Sequence, residues 1–184
     1  MARRHGDPEE LVAINVIINC DKSNSTDFDA VYAAASDPLI REQHPDPLRW
    51  PEDRFREWWR GAMEGKALVV VDCATGRIVG STRFLAYTGD EVEIGWTFLA
   101  RAYWGGRTNG EMKRLMIEHA FHHVSRVAFL VGPGNRRSQR AAEKIGGVRV
   151  GRRKNSLGRD AVLCELTPER FAAWKAATEV PPAR

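Results

Sequence analysis

The alternation of apolar and polar positions predicts a chain of short strands and amphipathic helices. Runs rich in β-branched and aromatic residues, bounded by turn residues, are typical of strands. These runs cover residues 11–19, 68–73, 77–87, 92–99, 126–131, 148–152 and 161–166. Apolar residues at helical spacing predict helices over residues 27–36 and 136–145, and further helices that begin near Pro51, Thr108 and Pro168.

The order of these elements predicts an α/β fold of the mixed α+β type. The strands 68–73, 77–87 and 92–99 follow one another through short turns, which favours antiparallel pairing. A helical segment joins the strands 92–99 and 126–131, and such a crossover makes two strands parallel. The sequence therefore predicts a central, mostly antiparallel sheet with one parallel pair and flanking helices.

The segment over residues 91–121 joins a strand to a helix through a glycine-rich junction. Its glycines are Gly105, Gly106 and Gly110. Thr108 and Glu111 match the S/T-x-x-E capping box, which predicts Thr108 as the N-cap of the helix. The first-turn N–H groups, the helix dipole and the absence of glycine side chains suit a pyrophosphate. A glycine-containing turn before a well-capped helix is the alternative interpretation.

Composition favours one soluble globular domain over residues 1–184, with 43% hydrophobic and 28% charged residues. The polar residues 1–10 and the last residues, 178–184, are expected to be mobile. The sequence contains no apolar run of membrane length and no signal-peptide core. We therefore expect a cytoplasmic protein that does not bind a membrane.

The cysteines and histidines do not predict a metal site. Cys20, Cys73 and Cys164 are far apart along the chain, which favours reduced thiols in a reducing compartment. His119 and His123 have the i, i+4 spacing of a zinc-binding pair. No third ligand has an obvious place beside them, so no metal is expected.

Basic clusters accompany the net charge of +4. One contains Arg136, Arg137 and Arg140, and the other lies within residues 149–154. Such clusters meet either an anionic ligand or only solvent. Nucleic acid is the less favoured ligand, because neither an aromatic–basic stripe nor a known nucleic-acid motif accompanies them.

Two motifs lie on either side of the strand 126–131. The first is E-I-G-W-T-F-L followed by Y-W-G-G-R-T-N-G-E-M-K-R-L-M, and the second is N-R-R-S-Q-R-A-A-E-K-I-G-G from Asn135 onward. The second is similar to the pattern N-x-x-S-x-x-x-x-E-K-x-G-F. By this pair of motifs the chain resembles the GNAT superfamily of acyl-CoA-dependent N-acyltransferases. More narrowly, it resembles the branch that contains the ribosomal-protein N-terminal acetyltransferases.

This resemblance implies a GNAT-like fold that binds acetyl-CoA beside a central strand, which bulges and splays from the next parallel strand. Pantetheine would pair with the backbone of four residues of that strand, Trp96, Thr97, Phe98 and Leu99. The pyrophosphate would lie on the next stretch, Trp104, Gly105, Gly106, Arg107, Thr108 and Asn109. Asn135 would bind pantetheine, Ser138 would lie near the thioester sulfur, and Arg140 would meet a phosphate.

The chain departs from the family pattern at several positions. Arg107 stands where glycine is usual, and Asn109 occupies the final small position of the phosphate motif. We expect Gly106 to supply the flexibility one residue earlier and Arg107 to pair with a phosphate. Ala142 stands where many relatives carry a tyrosine that acts as the general acid, and Gly147 replaces a phenylalanine.

Acyl transfer to an amine requires a base and a proton for the leaving thiolate. Glu93 is the candidate base, because it lies on the strand that ends at the cofactor, where relatives often place a carboxylate. In a partly dry cleft the pKa of Glu93 is expected to rise toward neutrality. Glu91 is the competitor, since strand alternation puts both carboxylates on one face. Ser138 is the candidate proton donor or sulfur anchor.

These observations predict an N-acetyltransferase that acts on a primary amine, either a protein N-terminus or a small molecule. An acyltransferase that uses a longer acyl-CoA and a non-catalytic acyl-CoA-binding module are the alternatives. The oligomeric state is left open between a monomer and a homodimer.

Overall fold

The computed structural model describes residues 12–13, 16–19, 27–44 and 51–178. Part of the predicted strand 11–19 and most of the expected mobile ends, 1–10 and 178–184, lie outside these residues. The strands are β1 (Val12–Ala13), β2 (Val16–Asn19), β3 (Leu68–Asp72), β4 (Arg77–Leu85), β5 (Glu91–Leu99), β6 (Arg126–Val131), β7 (Val148–Lys154) and β8 (Asp160–Leu166). The α-helices are α1 (Asp27–Ala35), α2 (Glu52–Glu64), α3 (Thr108–Ala120), α4 (Arg136–Lys144) and α5 (Pro168–Thr178). Short 3-10 helices span Pro38–Arg41 and Arg101–Tyr103.

The described residues form two compact units. The first takes its residues from Met1–Glu42, Leu48–Arg83 and Trp96–Leu115, and the second from Gln43–Pro47, Phe84–Gly95 and Met116–Arg184. Strands β4 and β5 contribute to both units. One domain over residues 1–184 stays a prediction.

The sheet of the first unit has the strand order β1-β2-β3-β4-β5. Strands β2 and β3 are antiparallel, as are β3 and β4, with a bulge between Val70 and Val71. Helices α1 and α2 cover this sheet with a largely aromatic core, which contains Phe28, Val31, Ala35, Phe55, Trp58, Trp59, Ala62 and Val69. Both tryptophans of α2 are buried, so their helical spacing reflects core packing.

The sheet of the second unit has the order β5-β6-β8-β7. Strand β5 pairs in parallel with β6 through Glu91, Val92 and Glu93 only, although both strands continue further. Strand β8 is antiparallel to both β6 and β7. The predicted parallel pair and the mixed sheet with flanking helices are confirmed.

Local signals located the elements of the second unit well. The Asn135 side chain accepts a hydrogen bond from the Ser138 N–H at 3.1 Å, so Asn135 is the N-cap of α4, and the helix begins at residue 136 as predicted. Gly146 follows this helix with a φ of 92°, the left-handed conformation that glycine favours after a helix. The hairpin strands β7 and β8 are longer than predicted and leave a shorter polar loop between them.

The predicted start of α3 at Thr108 is confirmed, but Thr108 is not the N-cap that the capping box requires. Helix α3 begins at Thr108, but the Glu111 N–H donates to the carbonyl of Arg107 at 2.9 Å. The residue whose carbonyl accepts the first helical bond is the N-cap. Arg107 therefore has that position, and Thr108 lies in the first turn.

Gly80 should tolerate no side chain. A Cβ there would lie 2.2 Å from the Phe98 carbonyl oxygen, and overpacking of this kind costs about 1–3 kcal/mol. We expect Gly80→Ala to lower the free energy of unfolding, measured by urea denaturation, by about 2 kcal/mol.

Gly61→Ala is the matched control for this substitution. Gly61 lies within α2, and an added Cβ meets nothing within 4 Å. Alanine should therefore stabilise the protein by about 0.5–1 kcal/mol through helix propensity. An unchanged free energy of unfolding in Gly80→Ala would contradict the close approach of β4 and β5.

Candidate functional site

The last four residues of β5, Trp96–Leu99, form an irregular strand end. Trp96 has a φ of 52°, a left-handed conformation that is unusual for a bulky residue. Its ring lies beneath the Arg83 guanidinium, 3.5 Å from the Arg83 Cζ, and stacks on Trp58 with 5.9 Å between ring centroids. These contacts hold the left-handed step of the backbone at Trp96, here termed the bulge of β5.

The side chain of Thr97 enters a buried polar chain. The Thr97 and Thr82 hydroxyl oxygens are 2.8 Å apart, and the Lys113 Nζ donates to the Thr97 Oγ1 at 3.3 Å. Lys113 is 7% exposed, and burial lowers the pKa of its amine to about 7, because a desolvated ammonium is disfavoured. Sequence reasoning missed this residue. The available signal was a lysine three positions before Met116, on the apolar stripe of the helix.

The connection after β5 is anchored by two aromatic residues. The Trp104 indole N–H donates to the Leu99 carbonyl at 2.9 Å, and the Tyr103 hydroxyl donates to the Asp72 carboxylate at 2.8 Å. The bond from Tyr103 lowers the pKa of Asp72, and the same bond raises the pKa of Tyr103. The connection therefore leads into α3 from a fixed position.

The backbone that leads into the N-terminus of α3 is exposed to solvent. Gly105, Gly106 and Arg107 are exposed, and Gly105 has a φ of 71°. An added Cβ on Gly105 meets nothing within 4 Å, and one on Gly106 meets only the Tyr103 carbonyl oxygen at 4.0 Å. The first-turn N–H groups after Arg107, including that of Asn109, have no acceptor within the helix. This cradle fits an anion such as a pyrophosphate.

The two candidate carboxylates differ in their surroundings. Glu91 and Glu93 are both buried, at 7% and 6% exposure. The Glu91 Oε1 pairs with Arg153 at 2.7 Å, and its Oε2 lies 3.8 Å from Arg126. Two guanidinium groups therefore surround the Glu91 carboxylate, and the assignment of the base to Glu93 stays a prediction.

The predicted residues of α4 extend from its N-cap to its middle. The Asn135 Oδ1 caps the helix, Ser138 is half-buried, and Arg140 is exposed. Gln139, which sequence analysis did not single out, is 2% exposed, and its amide donates to the carbonyls of Gly132 and Pro133. Gln139 thereby fixes the turn that precedes the helix.

His119 and His123 lie beside a cavity of about 270 Å³ in the second unit, with 5.2 Å between their ring centroids. Burial, followed by the charges of His123 and His122, lowers the pKa of His119. Within the described part of the chain, no three metal-ligating side chains come together. Cys73 and Cys164 carry free thiols, and Cys20 lies outside the described residues.

None of the helices in the described ranges has the length and apolar character to cross a bilayer.

The lowered pKa of Lys113 predicts a pH-dependent stability. Between about pH 7 and its unfolded pKa near 10.5, the unfolded chain binds a proton that the folded chain does not. The free energy of unfolding should therefore rise with pH across this window, by roughly a few kcal/mol in total. Lys113→Met should remove that rise, as measured by urea unfolding at a series of pH values.

Lys144→Met is the matched control, since Lys144 is exposed and its loss should leave the pH dependence unchanged. The same slope in wild type and Lys113→Met would show that Lys113 does not titrate in this range.

Comparison with known proteins supports one family. The acetyltransferase (GNAT) domain family matches residues 21–148. A GCN5-related N-acetyltransferase from Brucella melitensis has a TM-score of 0.76 at 19% identity, with 90% of this chain and 83% of that chain covered. No curated protein matches the chain significantly.

Two further solved structures contain coenzyme A or a derivative of it. Aminoglycoside acetyltransferase AAC(6')-Ib in complex with coenzyme A and kanamycin has a TM-score of 0.65 at 18% identity, with 86% and 97% of the two chains covered. Mycobacterium smegmatis RimJ in complex with CoA-disulfide has a TM-score of 0.59 at 19% identity, with 83% and 84% covered. These likenesses show the fold, and the match over residues 21–148 shows that the chain belongs to the GNAT acetyltransferase family.

Proposed function

We propose that this protein transfers an acetyl group from acetyl-CoA to a primary amine by direct attack. The observation that carries the proposal is the continuous segment from the bulge at Trp96 to the glycine-rich start of α3. This segment offers irregular strand backbone followed by an anion cradle, and both features lie within one compact unit.

The cradle supplies contacts for the diphosphate of the cosubstrate. The backbone of Gly105 and Gly106 and the first-turn amides of Thr108 and Asn109 present N–H donors, and the exposed Arg107 adds a positive charge. The pantetheine arm would pair with the backbone over Trp96–Leu99. In the second unit we assign Asn135 to pantetheine and Arg140 to a phosphate, as the family resemblance implies.

The reaction needs a neutral amine, a polarised carbonyl and a protonated leaving group. Glu93 takes the proton from the amine, directly or through a water, while the amine nitrogen bonds to the carbonyl carbon. The carbon–sulfur bond breaks, and the thiolate is protonated with the help of the Ser138 hydroxyl. Backbone N–H groups at the bulge polarise the carbonyl, and positioning of a reactive thioester supplies much of the rate.

We propose a primary amine as the acceptor, as the family resemblance implies. The aminoglycoside acetyltransferase is seen with kanamycin, and the mycobacterial neighbour is named RimJ. The proposed acceptor is a small-molecule amine or a protein N-terminus. A longer acyl-CoA, or binding of acyl-CoA without catalysis, is the second candidate, because Ala142 stands where many relatives carry the tyrosine acid.

A thermal-shift titration tests the cosubstrate. Acetyl-CoA at about 100 times its dissociation constant should stabilise the protein by about 2.7 kcal/mol, seen as a raised melting temperature. Free CoA should act similarly, and weaker stabilisation by dephospho-CoA would indicate an arginine contact with the 3′-phosphate. An unchanged melting temperature at millimolar ligand would contradict the proposal. A larger rise with longer acyl-CoAs would indicate that one of these is the acyl donor.

Glu93→Gln tests the base. Since general base catalysis contributes about 10²–10⁴ in rate, turnover measured by thiol release in the presence of amines should fall by about 100-fold, with acetyl-CoA affinity nearly unchanged. Glu91→Gln is the matched control on the same strand, and it should keep turnover while weakening the ion pair with Arg153. Unchanged turnover of Glu93→Gln from about pH 6 to about pH 9 would remove Glu93 from the mechanism.

A further inference from the structure

Lys113 occupies an unusual place for a charged residue. It lies on the buried side of α3 with Met112, Met116 and Ile117, which are at most 1% exposed. A buried amine is costly unless it is hydrogen-bonded, and methionine or leucine would fill the same space without that cost. The residue must therefore be explained by what its amine contacts.

The amine contacts the irregular end of β5. Lys113 donates to the Thr97 hydroxyl at 3.3 Å, and that hydroxyl also bonds with Thr82 at 2.8 Å. Thr82 is fully buried on β4. The chain of three polar groups thus ties α3, β5 and β4 together, and all three residues lie in the first unit.

Thr97 directly follows the left-handed Trp96. A bulky residue in this conformation persists only where the surroundings determine it. Arg83 and Trp58 restrain the Trp96 ring, and the bonds of Thr97 restrain the next residue. Without the bond from Lys113, the bulge would lose a direct polar link to the helix whose N-terminus forms the anion cradle.

We propose that Lys113 is a positioning residue, which holds the bulge of β5 in register with the start of α3 through the Thr97 hydroxyl. This inference rests on the proposed function, because the two elements that it links are the proposed sites for pantetheine and for pyrophosphate. Pantetheine and pyrophosphate belong to one ligand, so their two sites must contact it at the same time. If the two sites move relative to each other, the whole ligand binds more weakly. The lowered pKa of the amine, about 7, is consistent with a neutral donor that the core tolerates.

A set of substitutions separates this role from simple packing. Lys113→Met keeps the length of the side chain and removes the donor, Thr97→Val keeps the shape and removes the acceptor, and Thr97→Ser keeps the hydroxyl. The dissociation constant of free CoA is measured by calorimetry, independently of turnover. We expect the first two variants to weaken CoA by about tenfold, the amount that one lost hydrogen bond corresponds to. Thr97→Ser should stay within about twofold of wild type.

The double variant Lys113→Met/Thr97→Val gives the decisive comparison. If Lys113 acts through Thr97, the double variant should bind CoA no more weakly than the weaker single variant, because contacting residues are non-additive. Leu166→Ala is the control for lost stability, since Leu166 is fully buried on β8 in the second unit. It should lower the melting temperature without changing the CoA affinity.

A second readout follows the bulge itself in the ligand-free protein. Amide hydrogen exchange over residues 97–99 should speed up in Lys113→Met and Thr97→Val but not in Thr97→Ser. If Lys113→Met does not fold, the comparison of Thr97→Val with Thr97→Ser still tests whether the Thr97 hydroxyl holds the bulge. Additive losses of affinity, equal affinities of Thr97→Val and Thr97→Ser, or unchanged exchange would overturn the inference. Failure of the wild-type protein to bind CoA would instead overturn the proposed function, and this inference with it.

Discussion

The left-handed turn of β5 at Trp96 is the constraint on which the first unit depends. A bulky side chain in this conformation costs of the order of 1–3 kcal/mol, so the packing around it must supply at least as much. The Arg83 guanidinium lies over one side of the indole, and Trp58 stacks on it. The aromatic core therefore stabilises the irregular backbone at the end of β5.

The same arginine explains a second feature of the sequence. The Arg83 guanidinium also donates to the Gly61 carbonyl at 3.1 Å, near the end of α2. At Gly65 a Cβ would approach the same guanidinium to 2.1 Å. Glycine after the helix therefore provides the room in which Arg83 reaches Trp96, and β4, α2 and β5 meet at one side chain.

Sequence alone located the elements because their signals are local. A cap such as Asn135 or a terminator such as Gly146 acts on a few neighbouring residues, so its pattern is sufficient. The start of α3 shows the limit of such patterns. Thr108 and Glu111 match a capping box, yet the carbonyl of the preceding Arg107 accepts the first helical bond.

The site residues were harder to predict because their surroundings come from distant parts of the chain. Strand alternation could not separate Glu91 from Glu93. The ion pair of Glu91 with Arg153, which is 62 positions away along the chain, could not be predicted from that pattern either. Lys113 escaped prediction for a related reason, since its partner Thr97 is contributed by a strand 16 positions earlier. Periodicity indicates which face of a helix or strand is buried. It does not identify the hydrogen-bond partner that another element places against that face.

The basic clusters illustrate how geometry changes the meaning of charge. On β7, Arg149 pairs with Glu143, Arg153 with Glu91, and Lys154 with Asp160. The pairs Arg149–Glu143 and Lys154–Asp160 are exposed on both sides, so each of these two contributes little stability. They nevertheless place a carboxylate beside each cation, which lowers the positive potential that a polyanion would meet. The excess of arginine on this strand is therefore explained largely by ion pairs within the chain.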